Sequence, residues 1–276
     1  MNVRFVKINP SGNTTVFILD PVPAELKGAV VDAVMAYAGP GAEQVGFITK
    51  APEEEAGWRM DMAGGEFCGN ASRSFAAWLQ MCPDFGLPQD FAPAECERKI
   101  RVSGAAEPLT ASIRSLGKEN RCYVSVAMPK PEWIRAGEDE WFGKYTLVFF
   151  NGISHVILWN REPQDQDVEM ARPFLKKLDA LQEAFGLMYY NEETHFMRPL
   201  VCVEDPYTLV WENSCGSGSS ALASALAHRA GQSMGTIPIH QPGGDLSVTI
   251  TWNGDVDQLI LGGEIEISTL GNLYLK

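Results

Sequence analysis

Hydrophobic and polar positions follow the same order in the two halves of the chain. Residues 3–8 alternate apolar and polar side chains, as a half-buried strand does, and residues 14–19 are predicted to form a second strand after a turn. Residues 23–37 and 173–185 repeat apolar side chains at helical spacing and are predicted to be helices. The apolar faces of these two helices consist of Leu26, Val30, Val34 and Tyr37 in the first, and Phe174, Leu178, Leu181 and Phe185 in the second.

Each half also contains a cysteine between a predicted strand and a predicted apolar helix. The strand and helix around Cys68 are residues 58–62 and 71–81, and those around Cys215 are residues 207–211 and 221–227. Aligning the two cysteines also aligns Gly69 with Gly216 and Ser72 with Ser219. Because a helix N-terminus carries partial positive charge, each cysteine is placed where a thiolate or a bound carboxylate is stabilised.

The matched features are offset by roughly 140 residues, which indicates an internal duplication rather than a short solenoid repeat. The predicted fold is α/β (α+β), with two pseudo-symmetric domains, each a curved, mostly antiparallel sheet around a central helix. A polar stretch at residues 115–120 marks the candidate boundary. The predicted domains are residues 1–117 together with 262–276, and residues 118–261. Such a pair is expected to bring both cysteine-led helices to one interdomain cleft.

Composition narrows the class of protein. A net charge of −13 disfavours nucleic acid and anionic membranes as partners, and 45% hydrophobic residues suffice for a core. No secretory signal is expected, because residues 1–19 alternate and carry polar side chains. No transmembrane helix is expected either, because no apolar run reaches the roughly 18 residues that one needs. The six cysteines are therefore interpreted as thiols of a cytoplasmic protein, and their spacing predicts no metal site.

Two thiols facing each other across a small substrate suit an inversion reaction. A thiolate removes a proton from one face of a carbon and a thiol delivers a proton to the other, so a racemase needs two near-equivalent acid/base groups. Free thiols titrate close to working pH, at about 8.5. Neither a pyridoxal-phosphate lysine context nor a Gly-rich phosphate loop is apparent, so no cofactor is expected.

Four motifs together resemble the diaminopimelate epimerase family: Asn13, Cys68-Gly69-Asn70, Gly152-x-x-His155 and Cys215-Gly216-Ser217-Gly218. The resemblance implies the two-domain fold, a pyridoxal-phosphate-independent two-cysteine mechanism and a homodimer. It also implies that His155 and Glu212 poise the thiols. The α-amino acid end of the substrate would be bound by Asn13, Asn70 and the backbone of Gly69, Gly216 and Ser217.

The departures from the family pattern concern the substrate more than the reaction. Ile153 stands where the family usually has asparagine, and Asn213 replaces an arginine that would clamp a distal carboxylate. The sequence is closer to members that racemise other amino acids, including histidine. Glu43 is a candidate to face such a side chain or to tune a cysteine.

Three alternatives stay open from the sequence. The chain could be a diaminopimelate epimerase with an unusual distal pocket, or a proline or hydroxyproline racemase-like enzyme. It could instead be a thiol redox switch, in which the two cysteines form a disulfide. The other four cysteines are interpreted as small buried hydrophobes, and the other three histidines as structural: Cys82, Cys96, Cys122, Cys202, His195, His228 and His240.

Overall fold

The structure is a computed structural model that describes residues 1–204 and 207–275, and the chain divides into two compact units. The first unit comprises residues 1–127 and the C-terminal stretch from Gly262, and the second comprises residues 128–261. The sequence placed the first boundary after residue 117. Residues 109–118 and 121–127 instead pair as neighbouring antiparallel strands, so the first unit continues to Ala127.

The sheet of the first unit closes on itself. Its strands are β1 (Asn2–Asn9), β2 (Thr15–Ile18), β3 (Gln44–Lys50), β4 (Trp58–Met62), β5 (Glu95–Val102), β6 (Leu109–Lys118), β7 (Arg121–Ala127) and the C-terminal part of the last strand, β16 (Val256–Tyr274). Each strand pairs with the next in this order, and β16 also pairs with β1. The β2–β3 and β4–β5 pairs are parallel, whereas β1–β2, β3–β4, β5–β6 and β6–β7 are antiparallel.

Helix α1 (Lys27–Met35) connects the parallel strands β2 and β3 and follows a short 3₁₀ turn at Ala24–Leu26. Val30 and Val34 are buried in an apolar cluster with β1, β2 and β3, as the helical spacing predicted. The prediction is wrong at the two ends of that face, because Leu26 and Tyr37 are exposed. Both lie outside the α-helix, where the 3.6-residue period no longer holds.

Helix α2 (Gly69–Met81) is buried along nearly its whole length and packs against β5, β6 and β7. The helix begins at Gly69, two residues before the predicted start at residue 71, because Cys68 is its N-cap. Phe75 and Trp78 stack with ring centroids 6.1 Å apart, and both are buried in the core.

The second unit contains the strands from β8 onward. They are β8 (Trp133–Asp139), β9 (Gly143–Phe150), β10 (Ile153–Trp159), β11 (Ala184–Asn191), β12 (Phe196–Glu204), β13 (Tyr207–Trp211), β14 (Gly235–Gln241), β15 (Gly244–Trp252) and the first part of β16. Their order is β16-β15-β14-β12-β11-β10-β9-β8, and β13 also pairs with β12, in antiparallel orientation. The sequence analysis did not predict β8 or β11.

Helix α3 (Asp167–Lys177) connects the parallel strands β10 and β11, as α1 connects β2 and β3. The predicted helix over residues 173–185 is therefore wrong at both ends. Pro173 lies inside the helix rather than at its start, and Phe185 belongs to β11. Leu178 and Leu181 lie in the segment between α3 and β11 and pack against the apolar cluster that contains Phe174 and Phe185. Apolar residues of a helix, a loop and a strand therefore happen to follow one another at helical spacing.

Helix α4 (Gly216–Ala230) is the buried helix of the second unit and packs against β15, β10 and β9. Its buried positions are mostly Gly, Ala and Ser, so the strands can approach its backbone closely. The helix ends at Gly231, whose left-handed conformation (φ 65°) is the usual stop at this position.

The two units repeat the same plan. Each has a parallel strand pair joined by a connecting helix, and each has a buried helix that a cysteine caps. Gly12 and Gly152 both adopt left-handed backbone, with φ of 96° and 86°, in the turns before β2 and β10. The predicted mixed α/β fold with two similar, mostly antiparallel sheets is confirmed.

Candidate active site

Cys68 lies half-buried at the N-cap of α2 in the first unit. Its backbone is extended (φ −130°, ψ 115°), and its sulfur accepts the backbone N–H of Ala71 at 3.4 Å. Its carbonyl accepts both the backbone N–H and the hydroxyl of Ser72, at 2.9 and 2.8 Å. The sulfur is thereby held at the positive end of the helix dipole.

Gln44 is a site residue that the sequence analysis missed. The Cys68 thiol donates to Gln44 Oε1 at 3.3 Å, and the same oxygen accepts the Thr15 hydroxyl at 3.4 Å. In the sequence, Gln44 is distinguished only by its position directly after Glu43, the candidate substrate-binding residue. The Glu43 side chain is exposed, and its backbone N–H donates to the Thr14 carbonyl at 3.0 Å.

The predicted substrate-binding residues of the first unit are buried near the start of α2 or in the β1–β2 turn. Gly69 is the first residue of α2. Asn70 is 2% exposed, and its Oδ1 accepts a hydrogen bond from Arg73 Nη2 at 2.8 Å. Asn13 is 3% exposed, and its Oδ1 has no partner among the described residues. A buried oxygen of this kind is available to a donor on a ligand.

Cys215 repeats the geometry of Cys68 in the second unit. Its backbone is extended (φ −124°, ψ 109°), and its sulfur accepts the backbone N–H of Gly218 at 3.4 Å. Ser219 donates its hydroxyl to the Cys215 carbonyl at 2.7 Å. Gln241, which the sequence analysis also missed, accepts the Cys215 backbone N–H at 2.8 Å and donates to the Ser219 hydroxyl at 3.1 Å.

The environment of Cys215 keeps its proton on the sulfur. Burial raises the pKa of the Cys215 thiol well above its usual value, and the negative charge of Glu212 raises it further. The thiol hydrogen-bonds to the Glu212 side chain, which fits the predicted role of this carboxylate beside the second cysteine. Contacts from Ser217 and the Gly218 N–H act in the opposite direction and favour the thiolate.

His155 reaches Cys215 through a hydroxyl. Its Nε2 lies 3.0 Å from Ser217 Oγ, which in turn lies 3.5 Å from Cys215 Sγ. Burial lowers the pKa of His155 to about 3, so the imidazole is neutral near pH 7. The side chain of Ser217, and not only its predicted backbone contact, therefore belongs to the site. Gly216 is the buried first residue of α4.

Two glycines make room for this constellation. A Cβ on Gly186, which pairs with His155 across β10 and β11, would lie 2.6 Å from His155 Nδ1. A Cβ on Gly218 would clash with the Met188 sulfur and lie 3.2 Å from Cys215 Sγ. The ring and the thiol therefore occupy space that only glycine leaves free.

The cysteines interpreted as structural lie on strands or at a helix C-terminus, whereas both site cysteines cap a helix N-terminus. Burial raises the pKa of both Cys82 and Cys122 to about 12, and that of Cys202 to about 11. Burial also raises the pKa of the half-buried Cys96. A raised pKa is therefore shared with Cys215, and the N-cap position, where a backbone N–H donates to the sulfur, distinguishes the site pair from the other four.

Within the described ranges, no three His, Cys, Asp or Glu side chains lie close enough together to hold a metal ion. Over the same residues, no helix is long and apolar enough to cross a membrane. The predicted absence of metals and cofactors and the predicted cytoplasmic location stay predictions.

Sequence comparison identifies the family to which this site belongs. The family model described as "Histidine racemase CntK N-terminal domain" matches residues 2–274. The chain belongs to this family. A histidine racemase of Fusobacterium nucleatum is 33% identical over 282 residues, which cover 98% of this chain and 97% of that protein. A histidine racemase of Staphylococcus aureus is 26% identical, covering 99% of this chain and 98% of that protein.

A solved structure shows the same fold at low sequence identity. A probable proline racemase from Agrobacterium radiobacter superimposes with a TM-score of 0.67 and 13% identity, covering 99% of this chain and 93% of that chain. Membership of the histidine racemase family makes this chain an isomerase of the amino acid racemase and epimerase class. The resemblance to histidine racemases is confirmed, while membership of the diaminopimelate epimerase family stays a prediction.

Proposed function

We propose that this chain racemises histidine without a cofactor, with Cys68 and Cys215 as the two acid/base groups. The observation that carries the proposal is the equivalence of the two cysteines. Each is the N-cap of a buried helix, and each sulfur accepts the N–H three residues further on at 3.4 Å. The same local geometry occurs once in each unit, as two interchangeable acid/base groups require.

The reaction needs the two sulfurs on opposite faces of the substrate α-carbon. The thiolate takes the α-proton, so that the Cα–H bond breaks and an S–H bond forms. The thiol on the other face then gives its proton to the carbanion, and a new Cα–H bond replaces the broken one with inverted configuration. The reverse reaction starts from the opposite protonation pattern, and no net proton or electron is consumed.

The surroundings of Cys215 support a protonated resting state for this thiol. Burial and the negative charge of Glu212 raise its pKa, so Cys215 would be the proton donor in the direction of turnover that starts from the resting enzyme. Glu212 and the Ser217–His155 pair stabilise whichever protonation state Cys215 adopts during turnover. The carboxylate accepts from the thiol, and the Ser217 hydroxyl can donate to the thiolate.

The α-carboxylate of the substrate would bind the N-terminal N–H groups of α2 and α4, beginning at Gly69 and Gly216. There the helix dipoles stabilise the negative charge that develops as the α-proton leaves. The unpartnered Oδ1 of Asn13 would accept a hydrogen bond from the α-ammonium group. Asn70 and Ser217 complete this end of the site.

Histidine is favoured by membership of the histidine racemase family, with relatives of that name at 33% and 26% identity. Diaminopimelate would require a positively charged partner for its second carboxylate. Asn213 stands at the position where the diaminopimelate epimerase pattern has an arginine for that purpose. Glu43, an exposed carboxylate next to Gln44, is the candidate partner for the imidazole side chain. We also expect a cytoplasmic homodimer.

A substrate panel tests this function. The purified protein is incubated with each single L-amino acid and with diaminopimelate, without added cofactor, and the enantiomers are separated by chiral chromatography. We expect D-histidine from L-histidine. Turnover of diaminopimelate or proline alone would contradict the proposal. The redox-switch alternative is tested by measuring racemisation with protein that has been oxidised beforehand. Full activity of a disulfide form would contradict a two-thiol mechanism.

A further inference from the structure

Arg73 is a fully buried arginine in the second turn of α2, on the same helix as Cys68. Its side chain is 0% exposed. Nη2 donates to Asn70 Oδ1 at 2.8 Å, whereas Nε and Nη1 have no hydrogen-bond partner among the described residues. Buried polar groups normally form hydrogen bonds, so a buried arginine with two nitrogens that form none requires an explanation.

The charge of Arg73 is costly where it lies. Burial lowers the pKa of Arg73 to about 10, so the guanidinium is still charged at neutral pH. The groups whose negative charge would favour it are Tyr123, Cys68 and Cys122. An apolar side chain would fill the same volume without the cost of desolvation, so packing alone does not account for an arginine here.

The hydrogen bond to Arg73 determines what Asn70 can offer to a ligand. An asparagine side chain has an accepting oxygen and a donating NH2 group, and the two can exchange places by rotation. Arginine has donors only, so it can bond only the oxygen. Asn70 is the second residue of α2, and with its oxygen turned to Arg73 its remaining groups are chiefly N–H donors.

We propose that Arg73 is a positioning residue for the substrate carboxylate. It fixes the Asn70 amide so that N–H donors face the carboxylate at the start of α2, and it adds a buried positive charge beside Cys68. This role rests on the proposed function, because it requires an amino acid bound at this helix. Arg73 acts through Asn70 and does not itself contact the substrate, since its guanidinium is closed off from solvent.

The test uses two substitutions and a matched control in the full-length protein. Arg73→Met removes the donor and the charge. Asn70→Asp keeps a partner for Arg73 but presents carboxylate oxygens instead of N–H donors. Arg98→Met is the control, because Arg98 Nε donates to another amide oxygen on the same helix, Gln80 Oε1, at 2.7 Å. KM and kcat for histidine, histidine affinity by calorimetry, and melting temperature are measured for each protein.

We expect Arg73→Met and Asn70→Asp each to raise KM and Kd for histidine about tenfold or more, the effect of losing a charge-assisted hydrogen bond. Arg98→Met should leave both constants near wild type. Wild-type constants in folded Arg73→Met, with only a lower melting temperature, would overturn the proposal in favour of a structural role. If Arg73→Met does not fold, Asn70→Asp decides, because unchanged or tighter binding would mean that the amide oxygen faces the substrate.

The same measurements separate this proposal from the proposed function. Wild-type protein that binds histidine but does not racemise it would contradict the proposed function, and Arg73 would then be judged on Kd alone. Wild-type protein that neither binds nor turns over histidine would contradict both.

Discussion

The Nε2 atom of His155 lies 3.0 Å from the hydroxyl oxygen of Ser217, and that hydroxyl is the link between the imidazole and Cys215. Ser217→Ala removes the link but keeps the backbone N–H at the start of α4. Because a hydrogen bond to a charged group contributes roughly 1.5–3 kcal/mol, kcat should fall about tenfold or more. Steady-state kinetics of histidine racemisation measure the effect.

Ser224→Ala is the matched control for this substitution. Ser224 is also buried on α4, but its hydroxyl donates to the backbone carbonyl of Ser220, at 2.8 Å, well beyond the first turn. Its loss should change stability slightly and leave kcat near wild type. An equal loss of kcat in both variants would show that the Ser217 hydroxyl has no special role.

Gly186→Ala should lower both stability and activity. Its Cβ would lie 2.6 Å from His155 Nδ1 and 2.5 Å from Met188 Cε, so the imidazole cannot keep its present position and its contact with Ser217 is disturbed. Overpacking of this kind costs about 1–3 kcal/mol, which urea unfolding can resolve. Gly28→Ala in α1 is the control, because a Cβ there meets nothing within 4 Å. Wild-type stability and kcat in Gly186→Ala would contradict the packing described.

The buried carboxylate of Asp167 organises the start of α3 and makes stability depend on pH. It accepts hydrogen bonds from Arg161 at 2.7 Å, from Trp141 and Tyr189 at 2.8 Å, and from the Gln164 N–H at 2.9 Å. Burial disfavours its charge, but these hydrogen bonds together hold the pKa of Asp167 below its usual range. Asp167→Asn should lower the free energy of unfolding at pH 7 by about 3 kcal/mol.

The sign of the pH dependence follows from the lowered pKa. A depressed carboxyl pKa contributes stability at pH values above the unfolded-state pKa of about 3.9, and that contribution is lost as the pH falls through the folded-state pKa. The stability difference between wild type and Asp167→Asn should therefore shrink below about pH 4. Urea unfolding at pH 7 and pH 3 measures it, with the exposed Asp257→Asn as control. A constant difference would contradict an ionised Asp167.

Cys68→Ser and Cys215→Ser should each reduce kcat by at least about a hundredfold without loss of fold. Serine is nearly isosteric with cysteine and can keep the N-cap bond, but its hydroxyl is a far weaker acid, so acid/base catalysis is lost. Cys96→Ser replaces another half-buried thiol of the first unit and should leave kcat unchanged. Racemisation at the wild-type rate in either site variant would argue against a two-base mechanism.

The sequence predicted the parts of the fold that are specified locally. The cysteine-capped helices α2 and α4 were recognisable because a strand, a small-residue turn and an apolar run follow one another in each. The sequence pattern misplaces helix α3, because Pro173 lies inside the helix and not at its start, and because apolar residues of a loop and of β11 fall at helical spacing. The spacing of apolar residues cannot distinguish one long helix from a helix, a loop and a strand that all pack against the same apolar cluster.

The contacts around each sulfur depend on tertiary structure and were harder to predict. Gln44 and Gln241 reach the two cysteines from strands far away in the sequence, and neither belongs to a motif. The role of the Ser217 side chain was also missed, because only the folded β10 and α4 bring His155 to it. The sequence alone suggests the proposed catalytic pair because the pattern around the two cysteines is duplicated.

The most direct test of the two-base mechanism is the early fate of solvent deuterium. L-histidine and D-histidine are incubated separately with the enzyme in deuterium oxide, and the α-deuterium of substrate and product is measured by mass spectrometry within the first few per cent of conversion. We predict a fully deuterated product and an unlabelled remaining substrate in both directions, because one cysteine takes the proton and the other delivers a deuteron. Early labelling of the substrate to the same extent as the product, or a product that keeps the original proton, would contradict the account.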